Sequence, residues 1–251
     1  MTEANKSESL PKSIWADDGF IVIQNEKEIL LRIVDDEAPI NPRDRDNIGV
    51  MVCWHKRDSL GDKHNYSGPQ DFLLTLALGK DSDQREDEMT EAYNTDDESY
   101  QDPEDTSNEE LLAIIRENHV ILPLYLYDHS GITVSTRPYH CPWDSGQVGW
   151  IYVSKEKVLA ERTDLTEENW RETAEQYLQG EVQDFADYIT DSVLGYELYE
   201  IENNEATDLV YSCYGFYGHS TSSNGLLDQF TVVRPVDVKI VEITETKIII
   251  A

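Results

Sequence analysis

The sequence predicts an α+β fold: a mixed or antiparallel sheet with a few flanking helices and a flexible acidic insertion. Short apolar runs rich in Ile, Val and Tyr recur at 20–34, 119–154 and 195–250, with helix-spaced apolar residues between them. The 251 residues, 39% hydrophobic and 10% aromatic, suffice to bury a sizeable core, so a single domain over 1–251 is expected.

The chain opens with a hairpin. FIVIQ (20–24) and EILLRIV (28–34) read as strands joined by a turn at Asn25 and Glu26. The turn-rich stretch 35–47 leads to IGVMVCWH (48–55), an apolar run that reads as a buried strand. Pro69 suits the first position of a helix continued by QDFLLTLALG, with Phe72, Leu73, Leu76 and Ala77 on one face. Asn108 is expected to cap EELLAIIREN, where Leu111, Leu112 and Ile115 have helical spacing. HVILPLYLY (119–127), GITVST (131–136) and GQVGWIYVS (146–154) are the next strands and are expected at the centre of the sheet. Asp164, with Glu167 three residues on, predicts a helix start, and Trp170, Ala174, Tyr177 and Leu178 carry that helix to about residue 179. A second helix is expected over 181–192, after Gly180. Strands at 195–201, 208–214, 229–233 and 238–250 close the sheet. No period of roughly 20 to 50 residues recurs, so no repeat architecture is expected.

Charge sets the class of partner. The chain has 51 acidic and 20 basic residues, a net charge of −31, and a pI near 4.3. That sign argues against direct binding to DNA, RNA or anionic lipid, each of which draws on clustered Lys and Arg, and it favours basic partners. Residues 1–80 hold 14 acidic and 10 basic side chains, whereas 81–110 hold 14 acidic and one basic with almost no aliphatic anchors. The stretch 81–110 is therefore expected to be the mobile acidic insertion. Residues 156–208 hold 16 acidic and three basic side chains, interleaved with Trp170, Leu178, Val182 and Phe185, so these acids belong to ordered structure. MTEANKSESLPK has no basic start followed by an apolar core, and no run approaches the roughly 20 apolar residues of a membrane span, so a cytoplasmic protein is expected. Cys53, Cys141 and Cys213 are odd in number and far apart, which favours reduced thiols.

Chemistry-bearing residues cluster without completing a signature. Each cysteine has a histidine nearby (Cys53 with His55, Cys141 with His140, Cys213 with His219), but the tight C-x2-C or H-x3-H pairs of zinc sites do not occur, so neither metal nor cofactor is expected. His129 or His140 could deprotonate Cys141, with Asp128 or Asp144 orienting the imidazole; the competing reading is a turn, YHCPWDSG, packed by its own aromatics. Trp54, His55, Asp62, His64 and Asn65, with Asp128, His129 and Ser130, could gather round a divalent metal for phosphoester cleavage, but their spacing selects no ligands. Gly215 and Gly218 in CYGFYG lack the lysine-bearing phosphate-loop pattern. No catalytic residue is assigned. A small metal- or cysteine-dependent enzyme built round His55, His64, His129 and Cys141 is the alternative to a binding protein.

The stretches YLYDHSGITVSTRPYHCPWDSGQVGWIYVSKEKV, MVCWHKRDSLGDKHNYSGPQDF and YSCYGFYG resemble a family of uncharacterised proteins from bacteriophages and mobile elements, over roughly 48–80 and 119–230. The resemblance implies a setting inside a bacterial host cell and carries no established activity or catalytic residues. Small acidic phage proteins commonly imitate DNA to block host DNA-handling proteins. The expected function is thus an anti-defence inhibitor that binds a basic, nucleic-acid-binding host protein of restriction, CRISPR or related type. The expected contact surface is Glu167, Glu168, Glu172, Glu175, Glu181, Asp184 and Asp187, assisted by Asp96, Asp97, Glu98, Asp102, Glu104 and Asp105. Laid along one helix at about 1.5 Å per residue, the acids of 156–208 average about one per 5 Å, roughly threefold sparser than duplex DNA, and two adjacent helices double that density. The competing reading is a solvated acidic face that gives solubility alone.

Overall fold

A computed structural model describes residues 10–94, 102–242 and 246–250. In chain order it contains β1 (Gly19–Gln24), β2 (Lys27–Asp35), β3 (Val50–Cys53), α1 (Pro69–Leu78), α2 (Ser82–Asn94), α3 (Asn108–Asn118), β4 (His119–Asp128), β5 (Ile132–Ser135), β6 (Ser145–Ser154), α4 (Lys155–Glu161) and α5 (Trp170–Ile189). There follow β7 (Val193–Glu202), β8 (Glu205–Tyr217), α6 (Thr221–Asn224), β9 (Thr231–Val236), β10 (Val238–Glu242) and β11 (Thr246–Ile250). The class is α+β, and the described ladders are antiparallel. Where the sequence suggests one domain with one sheet, the chain clusters into two compact units, each with its own sheet: Met1–Pro42 with Asp187–Ala251, and Arg43–Ala186.

The first unit is a seven-stranded sheet in the order β10-β11-β8-β7-β2-β1-β9. Its two outermost strands are consecutive in the chain, separated by Asp237 alone, so the sheet curls until it is nearly a barrel. The opening hairpin turns at Asn25 (φ 50°) and Glu26 (φ 64°), the two left-handed positions of a tight hairpin turn whose twist matches its strands. Alternating residues of β1, β2 and β7, among them Phe20, Val22, Leu31, Ile33, Leu194 and Tyr196, form the core of this unit.

The second unit holds a four-stranded sheet, β3-β6-β4-β5. Helices α1 and α3 supply Phe72, Leu73, Leu111 and Ile115 to a core shared with Val52, Ile121 and Trp150. Gly149 is required where β6 meets β3: a Cβ there would lie 1.9 Å from the Val52 carbonyl oxygen. The expectation that 119–154 forms the centre of one large sheet thus becomes a separate small sheet, with β5 on its edge.

Three helix expectations change. The stretch 81–110 contains a regular helix, α2, held by its one cation. Arg85 is 8% exposed, and its guanidinium donates to Thr75 Oγ1 (3.0 Å), to the Lys80 carbonyl (2.7 Å) and to the Asp71 carboxylate. Ser107, not Asn108, caps α3: its hydroxyl accepts from Glu110 N while the Glu110 carboxylate accepts from Ser107 N, a complete capping box. Helix α5 starts at Trp170 and runs through Gly180 without a break, while Asp164 pairs with Arg162 across two bonds of 2.8 and 2.7 Å instead of capping it. Among the described residues no helix is long and apolar enough to cross a membrane.

Candidate functional site

The acidic surface of the second unit is set by which carboxylates the fold consumes. On α2, Asp83, Glu86, Asp87 and Glu91 are exposed. At about 100° per residue they fall within an arc of roughly 140°, on the side of the helix opposite Arg85. Glu88 is engaged by Lys80 at 2.7 Å. Next along the chain, Asp102 caps a short 3-10 turn by accepting from Glu104 N at 2.9 Å, and Glu104 and Asp105 are exposed beside it. Two serine contacts, from hydroxyl and backbone N–H, hold the Glu110 carboxyl below its ordinary range. Asp96, Asp97 and Glu98 lie outside the described residues.

Around the start of α5, Glu168, Glu172 and Glu175 are exposed, Glu175 accepting from Gln179 Nε2 at 3.2 Å. Glu167 is exposed but ion-paired with Lys155. Arg162 draws the Asp164 carboxyl down to about 2. Arg171 turns away from these acids, donating to the Glu117 and His119 carbonyls at the end of α3. Asp184 has its carboxyl pushed up by burial, against the pull of Arg45 and with Glu181 adding to the push.

Glu181 does not belong to this surface. Its side chain is 14% exposed, bonded to Arg43 Nη1 at 2.8 Å and accepting from Ile48 N (2.8 Å) and Gly49 N (3.1 Å). Arg43, 3% exposed, also grips both Asp62 oxygens (2.9 and 2.7 Å) and the Gly49 carbonyl (2.8 Å). This buried hub ties α5 to the chain entering β3. Asp187 is likewise half-buried, its carboxylate standing where a side chain on Gly218 would go. The expected contact row along α5 is therefore interrupted. Asp83, Glu86, Asp87 and Glu91 are exposed on α2, in the stretch expected to be a loop.

The histidines and cysteines fall into two groups. Trp54, His55, Leu60, Asp62 and His64 line a cavity of about 530 Å³ beside Cys53. His64 Nε2 lies 3.0 Å from the Cys53 carbonyl, to which it donates. His64 Nδ1 and the Trp54 indole N–H are buried with no hydrogen-bond partner. Burial, followed by the nearby Asp62 charge, pushes the Cys53 thiol up to about 12, so it stays protonated at neutral pH.

In the second group the Cys141 thiol donates to Asp144 Oδ2 at 3.4 Å, and the same oxygen lies 3.3 Å from His129 Nδ1. The carboxylate stands between thiol and imidazole, so His129 does not take the proton from sulfur; a nucleophilic triad has the reverse order. Asp128 is paired with Arg57. In the YHCPWDSG turn Trp143 is 92% exposed, while Tyr139 packs against Tyr127 of β4 at 5.4 Å between ring centroids. Among the described residues no three His, Cys, Asp or Glu side chains gather as a metal-holding group. No family model, no curated protein and no solved structure matches this chain.

Proposed function

We propose that this is a binding protein whose second unit offers carboxylates to a basic, nucleic-acid-binding protein in place of a nucleic-acid backbone. The observation that supports it is the outward face of α2. Four exposed carboxylates, Asp83 to Glu91, lie along about 12 Å of helix, while one DNA strand carries a phosphate about every 3.4 Å and so about four over the same length. The only cation of α2 points inward and is neutralised by Asp71, while Lys80, just before the helix, pairs with Glu88. Glu168, Glu172 and Glu175 extend the set. A basic groove that takes up such a face releases counterions as it does on binding DNA.

The finer reading follows the resemblance of the chain's motifs to phage and mobile-element proteins: the partner is a bacterial restriction, CRISPR or related DNA-handling protein, and binding inhibits it. The test is capture from bacterial lysate, with rising salt and then excess duplex DNA as eluents. The expected result is a basic DNA-handling protein that duplex DNA displaces and that Asp83→Lys/Asp87→Lys/Glu91→Lys no longer retains. Retention unchanged by the triple variant, or no basic protein retained by the parent, overturns the reading.

A further inference from the structure

We propose that the cavity beside Cys53 binds a small, uncharged molecule that carries a hydroxyl group on an apolar body, the chemistry of a phenol. Its volume of about 530 Å³ falls in the range of roughly 300–1,000 Å³ common to small-molecule clefts. The frame is fixed without a ligand. The loop 53–64 is closed at its base by the Val52–Gly61 bridge and by Asp62 N, which donates to the Met51 carbonyl at 2.7 Å. Gly61 (φ 70°) passes that carbonyl so closely that a Cβ would lie 2.6 Å from its oxygen. Arg43 and Met51 N hold the Asp62 carboxylate. Trp54 leans on Phe72 and Trp150, at ring-centroid distances of 5.9 and 6.1 Å.

Unmet hydrogen bonds select the ligand. Among the described residues, three buried side-chain nitrogens have no partner: Arg32 Nε, Trp54 Nε1 and His64 Nδ1. Two of the three belong to rings that line this cavity, with centroids 5.0 Å apart. A buried polar group left unpaired is costly and native proteins keep few, so two on adjacent rings mark the place of a ligand group. The indole N–H requires an acceptor. His64 Nδ1 accepts in the neutral ring and donates in the imidazolium, so a hydroxyl, which does both, serves it in either state. A hydroxyl serves the indole as well. A carboxylate suits His64 only when the ring is charged, and an ammonium leaves the indole unpaired. The wall favours an apolar body, since Cys53 and Leu60 are each 8% exposed and the thiol is uncharged at neutral pH. Lys56, Asp58 and Lys63 also line the cavity, but they are exposed and of both signs, and so select no net charge. A saccharide brings more hydroxyls than two nitrogens and this wall can pair.

The experiment is titration of the full chain with p-cresol and with toluene, its hydroxyl-free counterpart, alongside glucose and sodium benzoate. Calorimetry reads the affinity, and a proton–nitrogen correlation spectrum reads the indole N–H groups. p-Cresol is expected to bind with a dissociation constant of about 0.1–1 mM, and each of the other three at least about tenfold more weakly. Of the five tryptophan indole signals, the one absent from Trp54→Phe shifts with p-cresol and stays in place with toluene. Trp54→Phe keeps an aromatic ring and binds p-cresol no better than toluene. The comparison of probes on the parent chain needs no substitution, so it does not depend on that variant's stability. Asp83→Lys/Asp87→Lys/Glu91→Lys binds p-cresol as the parent does, because the inference does not rest on the acidic helix. Equal affinity for p-cresol and toluene, tighter binding of glucose or benzoate, or a Trp54 signal that p-cresol leaves unmoved overturns the proposal. So does no binding of p-cresol up to about 10 mM, in which case water alone meets the two nitrogens.

Discussion

Replacing Arg43 with methionine isolates the hub that removes Glu181 from the acidic surface. The side chain is 3% exposed and makes four bonds of 2.7–2.9 Å, two to Asp62, one to Glu181 and one to the Gly49 carbonyl. Taking one partner out of a buried ion pair costs about 3–5 kcal/mol, because the remaining charges stay desolvated. The two carboxylates here keep some water, at 25% and 14% exposure, and keep their bonds from the Met51, Ile48 and Gly49 amides, so the lower end applies, about 3 kcal/mol. At roughly 2–4 °C per kcal/mol for a unit of this size, the melting temperature falls by about 6–12 °C. Tryptophan fluorescence follows it, since Trp54, Trp143, Trp150 and Trp170 lie in the second unit and only Trp15 in the first. Arg43→Lys recovers less than half of the loss, because an ammonium cannot span both carboxylates and the carbonyl in one plane. Glu181→Gln is also destabilising, and Glu172→Gln is neutral. A loss below about 1 kcal/mol for Arg43→Met, or equal effects at Glu181 and Glu172, refutes the assignment of Glu181 to structure.

Gly180 sits inside α5, and a Cβ added there would meet nothing within 4 Å, so Gly180→Ala raises stability by about 0.5–1 kcal/mol, read as an increase in urea midpoint at unchanged slope. Burial pushes the His119 imidazole below its ordinary value despite its contact with the Ile115 carbonyl. The folded state therefore binds the proton less readily than the unfolded one: stability is complete above about pH 6.5 and declines as pH falls through that value. His119→Gln flattens this limb of the pH profile, and a slope that the variant leaves unchanged rules out His119 as its source.

The strands are legible because apolar runs bounded by turn residues leave few alternatives, as at FIVIQ and IGVMVCWH. Helix α2 is not, because it has no apolar stripe: its attachment is one arginine reaching three groups on or just after α1, and nothing in periodicity signals that. Ser107 is legible in principle, since Glu110 stands three residues on, the spacing of a capping box. Reading a helix break at Gly180 has the larger consequence. Position 181 follows Ala174 by seven, follows Leu178 by three and precedes Phe185 by four, so a continuous helix places Glu181 on the buried face. Splitting the helix hides that phase and makes a structural carboxylate look like a surface one. The Cys141 group misleads differently, because spacing brings thiol, carboxylate and imidazole together but does not tell which of them stands in the middle.

Composition does not by itself choose a binding face. Residues 43–186 hold 31 acids and 13 bases, and the rest of the chain 20 acids and seven bases, so both units carry about one net negative charge per eight residues. The difference lies in where the cations go. Arg32 is spent on Asp17 and Glu197, Arg43 on Asp62 and Glu181, and Arg85 on Asp71, each with its guanidinium turned from solvent. What remains outside is more nearly of one sign than the sequence, most of all on α2. A solubility role depends on net charge and not on its position, whereas mimicry depends on spacing. Moving two charges at constant total separates them: Asp87→Asn and Glu91→Gln, with Ser222→Glu and Ser223→Glu on the exposed turn of α6. Under mimicry this chain stays as soluble as the parent and loses its DNA-displaceable partner. Retained binding at equal solubility would show that the spacing on α2 is not read by any partner.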